Sequence, residues 1–182
     1  MRLFTAVDLS PEVQESLARL LDALQPSASL RWSRIENLHL TLKFIGEWPE
    51  PELGALQEAL RGVPRPAPFD TRVSGLGYFP NERAPRVFWA GVQAPDELVR
   101  LAGDIEQALA PLGVAAERRP YSPHLTLARI QPGTPLDRFR QAVQGLPTQD
   151  FGVFRSDRFH LYLSRPGPSG SVYTRIESHN FS

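Results

Sequence analysis

His39-Leu40-Thr41-Leu42 recurs unchanged as His124-Leu125-Thr126-Leu127, 85 positions further along a chain of 182 residues. Identity over four residues at a spacing near half the chain length points to a duplicated unit. On a strand, alternation puts His39 and Thr41 on one face and Leu40 and Leu42 on the other. Each copy thus offers an imidazole beside a hydroxyl, backed by two leucines that can anchor it in a core. Two such copies facing each other suit a phosphate diester. One imidazole takes a proton from the nucleophile and the other gives one to the leaving oxygen. The threonine hydroxyls can donate to non-bridging oxygens, where charge builds in the transition state. Histidine fits both roles because its ordinary pKa, roughly 6.5, leaves both protonation states populated near neutrality. In-line displacement needs the entering and leaving oxygens on opposite sides of phosphorus. His39 and His124 are therefore expected on opposing central strands, flanking one pocket that Thr41 and Thr126 also line.

Other side chains lie close enough in sequence to contribute. Lys43 alternates onto the face of His39 and Thr41, where it could meet phosphate. Arg129 closes the second copy but alternates onto the face of Leu125 and Leu127, so a strand bend is needed to turn it inward. Arg118 and Arg119 precede the second copy and have the fork geometry that grips phosphate. Phe79, Trp89 and Tyr121 are candidates for stacking a base. His160 and His179 lack the repeated pattern and read as structural or exposed.

The elements that must carry these residues follow from periodicity. Leu3 to Val7 reads as a buried strand. Ser10-Pro11 opens a helix whose Val13, Leu17, Leu20, Leu21 and Leu24 recur at helical spacing. Leu38 to Ile45 alternates as a strand, and a helix on Leu53, Leu56 and Leu60 follows Pro49 and Pro51. Arg72 to Tyr78 and Arg86 to Val92 read as strands, and Leu98, Leu101, Ile105, Leu109 and Leu112 as a helix. His124 to Ile130 forms a strand, Pro135 to Leu146 a helix. Phe151 to Leu163 and Ser171 to Ile176 close the chain as strands joined by a turn-rich segment. No Gly-rich fingerprint follows a strand, so the expected class is α+β with largely antiparallel sheets.

Composition narrows the function further. Twenty basic side chains balance twenty acidic ones, so any polyanion must be held by a local site. Cysteine is absent, which excludes disulfides, thiolate metal sites and cysteine nucleophiles. The apolar N-terminal stretch is broken by Asp8 and too short for a signal peptide, and no run is long enough to span a membrane, so a cytoplasmic location is expected. A metal-dependent phosphohydrolase would want acids beside the histidines, as in HD or HExxH patterns, and neither occurs. A non-catalytic module binding RNA ends is disfavoured by the lack of a basic stripe.

With both copies in view, the chain resembles the two-histidine phosphoesterase superfamily, and within it the RNA 2′,3′-cyclic phosphodiesterase branch, historically called 2′-5′ RNA ligase. The likeness rests on Arg2 to Leu9 (RLFTAVDL), Asn37 to Glu47 (NLHLTLKFIGE), Ser122 to Arg129 (SPHLTLAR) and Phe159 to Ser164. The resemblance implies a single bilobal α+β domain over residues 1–182, with two interleaved lobes related by pseudo-twofold symmetry around a central cleft and helices outside. It implies opening of RNA or nucleoside 2′,3′-cyclic phosphates to 2′-phosphates, without metal or cofactor and with reversible 2′-5′ ligation. It also implies His39 as proton donor and His124 as acceptor, roles that two identical motifs do not themselves distinguish. A relative acting on another cyclic phosphate, such as ADP-ribose 1″,2″-cyclic phosphate, would carry the same motifs. A monomer with no protein partner is expected.

Overall fold

A computed structural model describes all residues, 1–182. The strands are β1 (Arg2–Asp8), β2 (Arg31–Trp32), β3 (His39–Glu47), β4 (Phe69–Phe79), β5 (Val87–Gln93), β6 (His124–Arg129), β7 (Asp150–Ser156), β8 (Arg158–Gly167) and β9 (Gly170–Asn180). The helices are α1 (Pro11–Leu24), α2 (Leu53–Arg61), α3 (Asp96–Leu109) and α4 (Asp137–Gln144). Two sheets form, in the orders β3-β1-β8-β9 and β2-β6-β5-β4-β7. All their pairings are antiparallel, so the fold is α+β as expected.

Local chemistry explains the helix starts and faces. The Ser10 hydroxyl accepts from the Val13 amide and Pro11 sits in the first turn, together satisfying the orphan end of α1. The buried faces of α1 (Val13, Leu17, Leu20, Leu21, Leu24) and α3 (Leu98, Leu101, Ala102, Ile105, Leu109) follow the sequence periodicity. Each helix leaves one sheet and packs on the other: α1 follows β1 but lies on β7, while α3 follows β5 but lies on β3. Gly152, at φ 105°, brings the β7 backbone close to Val13. One continuous cluster of 36 buried apolar residues runs through both sheets.

Two expectations change. The run from Phe151 to Leu163 is not one strand: the chain breaks at Asp157, with β7 in one sheet and β8 in the other. Alternation alone carries no mark of which sheet a residue joins. The repeated motifs also lie on β3, an edge strand, and on β6, which is flanked outward only by the two-residue β2. Edge placement leaves backbone groups open to partners from elsewhere in the chain.

His160 and His179 are both buried, so neither is exposed. His179 stacks on Phe159, with ring centroids 4.5 Å apart, and its Nδ1 accepts from the Arg65 guanidinium at 3.1 Å. Burial first, and then the Arg65 charge, push its pKa from 6.5 down to about 4. The unfolded chain therefore binds this proton before the folded one does. A stabilising contribution of roughly 3 kcal/mol is complete above pH 6.5 and is lost as the pH falls through the folded value near 4. Urea unfolding at pH 7 and pH 4.5 should show this loss, and His179→Phe should flatten it.

Candidate active site

The two motifs are built alike at atomic level. His39 Nδ1 lies 2.7 Å from the Asn37 carbonyl, and His124 Nδ1 lies 2.8 Å from the Ser122 carbonyl, in each case two residues back along the chain. A carbonyl only accepts, so each Nδ1 carries hydrogen and each Nε2 is left for other chemistry. Both rings are half-buried, as are Thr41 and Thr126 on the same strand faces, while Leu40, Leu42, Leu125 and Leu127 are buried behind them. β3 and β6 approach within 8 Å, Cα to Cα, where the sheets meet.

Two hydroxyl-to-carbonyl bonds lace the motifs together reciprocally. Tyr121, just ahead of the second motif, donates its hydroxyl to the Thr41 carbonyl at 2.9 Å. Ser33, just ahead of the first, donates to the Thr126 carbonyl at 2.7 Å, and its amide donates to the Leu127 carbonyl at 2.8 Å. The segment entering each motif is thus fastened to the strand of the other. Burial pushes the Tyr121 hydroxyl far above its ordinary pKa, so it remains a donor. Tyr121 is consequently a bridge and not the open stacking platform expected of it.

A second shared feature corrects the reading of alternation. β3 and β6 each carry a β-bulge directly after the threonine. Ala6 pairs with Thr41 but Thr5 with Lys43, and Trp89 pairs with Thr126 but Phe88 with Ala128. The extra residue, Leu42 or Leu127, reverses the facing of the residues that follow it, in β3 as far as a second bulge at Ile45. Lys43 therefore turns away from the face of His39 and Thr41. Only 2% exposed, it bonds Glu106 Oε2 at 2.6 Å and the Ala115 carbonyl at 2.7 Å. Burial works to raise the Glu106 carboxyl, but Lys43 and the Glu117 amide hold it below its ordinary value. Arg129 moves the opposite way: the bulge is the bend it needed, and it emerges exposed on the side of His124 and Thr126.

The remaining candidates divide between neighbours of His124 and exposed side chains ahead of the second motif. Phe79 meets the His124 ring edge-on at 4.9 Å, and Trp89 lies 5.2 Å from Phe79. A Cβ on Gly77 would come within 2.2 Å of the Trp89 ring, so this glycine is what lets the indole lie down on the strand. Arg118 and Arg119 are exposed in the bend before the second motif, and neither pairs with an acid. On the other side His39 stacks on Phe4 at 4.6 Å and meets Tyr173 edge-on at 5.2 Å. A cavity of about 490 Å³ opens beside His39, lined by Asp8, Asn37, Tyr162, Tyr173 and Arg175 among others.

Comparison with known proteins falls where this geometry leads. The family model for LigT like Phosphoesterase matches twice, over residues 7–89 and 91–173, one match for each motif. The chain belongs to this family. It is similar to an RNA 2′,3′-cyclic phosphodiesterase of Methanothermobacter thermautotrophicus, 32% identical over 179 residues and covering 97% of each chain. A Thermus thermophilus crystal structure superposes with a TM-score of 0.83 at 34% identity, covering 100% of this chain and 98% of that one. Escherichia coli LigT complexed with 3′-AMP superposes with a TM-score of 0.82 at 27% identity, covering 100% and 98%.

Several residues around the LigT-like motifs were not singled out from the sequence. Ser33 carries no motif, and its role appears only once β2 is seen to pair with β6. Phe4 reaches His39 across the small Ala6, and Tyr162 and Tyr173 join it from β8 and β9. Period-two alternation could have put Phe4, Ala6 and Asp8 on one face, but not beside His39, because that needs the strand register.

Lys43 separates a structural role from a phosphate contact. Lys43→Met removes the buried half of a part-buried pair, leaving Glu106 and the Ala115 carbonyl without their donor. Urea unfolding should show a loss of about 3 kcal/mol. In the protein that remains folded, KM for a phosphodiester should stay within about twofold of wild type; a lysine touching phosphate would raise it far more.

Proposed function

We propose that the chain is an RNA 2′,3′-cyclic phosphodiesterase in which His39 and His124 act as an acid–base pair within one bilobal domain, each interleaved lobe supplying one motif. The observation that supports this reading is the matched pair of histidines, both with Nδ1 tied to a backbone carbonyl, which leaves Nε2 as the nitrogen for proton transfer. The RNA 2′,3′-cyclic phosphodiesterase activity of the Methanothermobacter relative supports the substrate class.

The chemistry balances with these groups alone. Neutral His124 takes a proton from water as its oxygen forms a bond to phosphorus. The bond from phosphorus to O3′ breaks, and O3′ takes the proton held on His39 Nε2. A 2′-phosphate and a free 3′-hydroxyl result. Thr41 and Thr126 donate to the non-bridging oxygens, and Arg129, brought to that side by the bulge, adds charge where it develops. Phe79 and Trp89 form an apolar wall beside His124 that suits a base or ribose face. Arg118 and Arg119, exposed just ahead of the second motif, would meet the RNA backbone. A 5′-hydroxyl in place of water gives a 2′-5′ linkage by the same two proton transfers, and relief of the strained ring replaces any need for ATP. The two imidazoles carry both proton transfers in this reading, which calls for no metal.

Purified protein should open nucleoside 2′,3′-cyclic phosphates in EDTA and leave the 2′-phosphate. A 3′-phosphate product would reverse the assignment of the leaving oxygen. His39→Ala and His124→Ala should each lower kcat by roughly 10²–10⁴-fold, and Thr41→Ala or Thr126→Ala by roughly 10²-fold. The wild-type pH–rate curve should be a bell. Residual activity in His124→Ala should lose the acidic limb, and that in His39→Ala the alkaline limb; an unaltered bell in both would remove the histidines from proton transfer.

A further inference from the structure

Two identical motifs, each with the same Nδ1 bond, have to present one charged and one neutral imidazole. The difference lies in what stands across the strand from each histidine. In the β1–β3 register His39 pairs with Asp8; in the β5–β6 register His124 pairs with Gly91. Directly paired residues project from the same face of a sheet, so Asp8 shares the cleft side with His39. No acid can take the corresponding place beside His124. A Cβ on Gly91 would lie 2.5 Å from the Ser74 carbonyl oxygen, which is backbone of the neighbouring strand.

Asp8 is also held rigidly. Its Oδ1 accepts from the Tyr162 hydroxyl at 2.6 Å and its Oδ2 from Arg175 at 2.6 Å, with His160 Nε2 3.4 Å away. Tyr162, raised to about 12 by burial and by its bond to Asp8, stays a neutral donor. His160 is buried, and its pKa is lowered by that burial. Arg34 and Glu36, which also line the cavity, form an ion pair with each other. Arg175 is thus the one fixed cation bonded to the carboxylate.

We propose that Asp8 is a positioning residue that assigns the proton-donor role to His39: its carboxylate, fixed across the strand by Tyr162 and Arg175, favours the imidazolium there, while Gly91 leaves His124 without an equivalent anion. This rests on the acid–base reading of the two histidines. Burial lowers the His39 pKa, and the Asn37 carbonyl and the Asp8 charge act to raise it. Asp8 therefore offsets part of what burial takes from the charged form, which is the form a donor must hold.

The test reads the imidazoles directly, by NMR titration of the full chain without substrate, beside the pH profile of cyclic phosphate opening. Asp8→Asn keeps an acceptor for Tyr162 and removes the charge. The His39 titration should move down by about half a unit to one unit while His124 stays in place. The limb of kcat/KM that His39 sets should move down with it, and the limb that His124 sets should not. Arg175→Gln unmasks the carboxylate and should move His39 the opposite way, so the proposal does not depend on one variant folding. Titration of His39 at its wild-type pH in both variants overturns it, as does an equal shift of both histidines. A wild-type protein inactive on every cyclic phosphate would instead overturn the phosphodiesterase reading, and the titration would still report whether Asp8 acts on His39.

Discussion

The carbonyl oxygens of Thr41 and Thr126 hold the molecule's two halves in register. β3 lies at a sheet edge and β6 has only a two-residue neighbour outside it, so backbone acceptors there need partners. Tyr121 and Ser33 supply them, each from the segment that leads into the opposite motif. The Lys43 ammonium on the Ala115 carbonyl adds a third tie on one side. Loss of these bonds would leave the shared core and the crossed helices to hold the sheets, with a looser relation between the two imidazoles. An acid–base pair depends on that relation, because proton transfer falls off sharply with misplacement.

Duplication gives the site its frame, and departures from symmetry give it direction. Both motif strands bulge at the same place, after the threonine. The residues following the bulge differ: Lys43 and Phe44 in one copy, Ala128 and Arg129 in the other. Position 43 points into the interior, so there it makes an anchor and its counterpart is a methyl. The next position returns to the cleft side, so one copy offers an exposed aromatic ring and the other a guanidinium. With Asp8 opposite one histidine and Gly91 opposite the other, a nearly symmetric scaffold carries an asymmetric site.

How much of this was legible depends on the range of the signal. α1 and α3 could be read almost to their ends, because apolar spacing and the Ser10-Pro11 cap are local. Phe79 and Trp89 were singled out by type alone; in the fold Phe79 meets His124 and Trp89 lies against Phe79. Lys43 and Arg129 were read with the wrong facing, because one bulge residue reverses alternation and nothing in Leu42 or Leu127 announces a bulge. Tyr121 was assigned a ligand where its hydroxyl has a protein partner 80 positions away.

By itself the sequence determined that two strands would each carry a histidine and a threonine on one face, backed by leucines. It also determined an α+β class, since identity and period are properties of short segments. Only the tertiary structure decided which residues stand across from those histidines and which edges meet. It also decided that Lys43 is buried, that Arg129 is exposed past a bulge, and that Asp8 pairs across the strand with His39 while Gly91 pairs with His124. Those outcomes depend on strand register and on contacts between distant segments, and neither is written in any one stretch of chain.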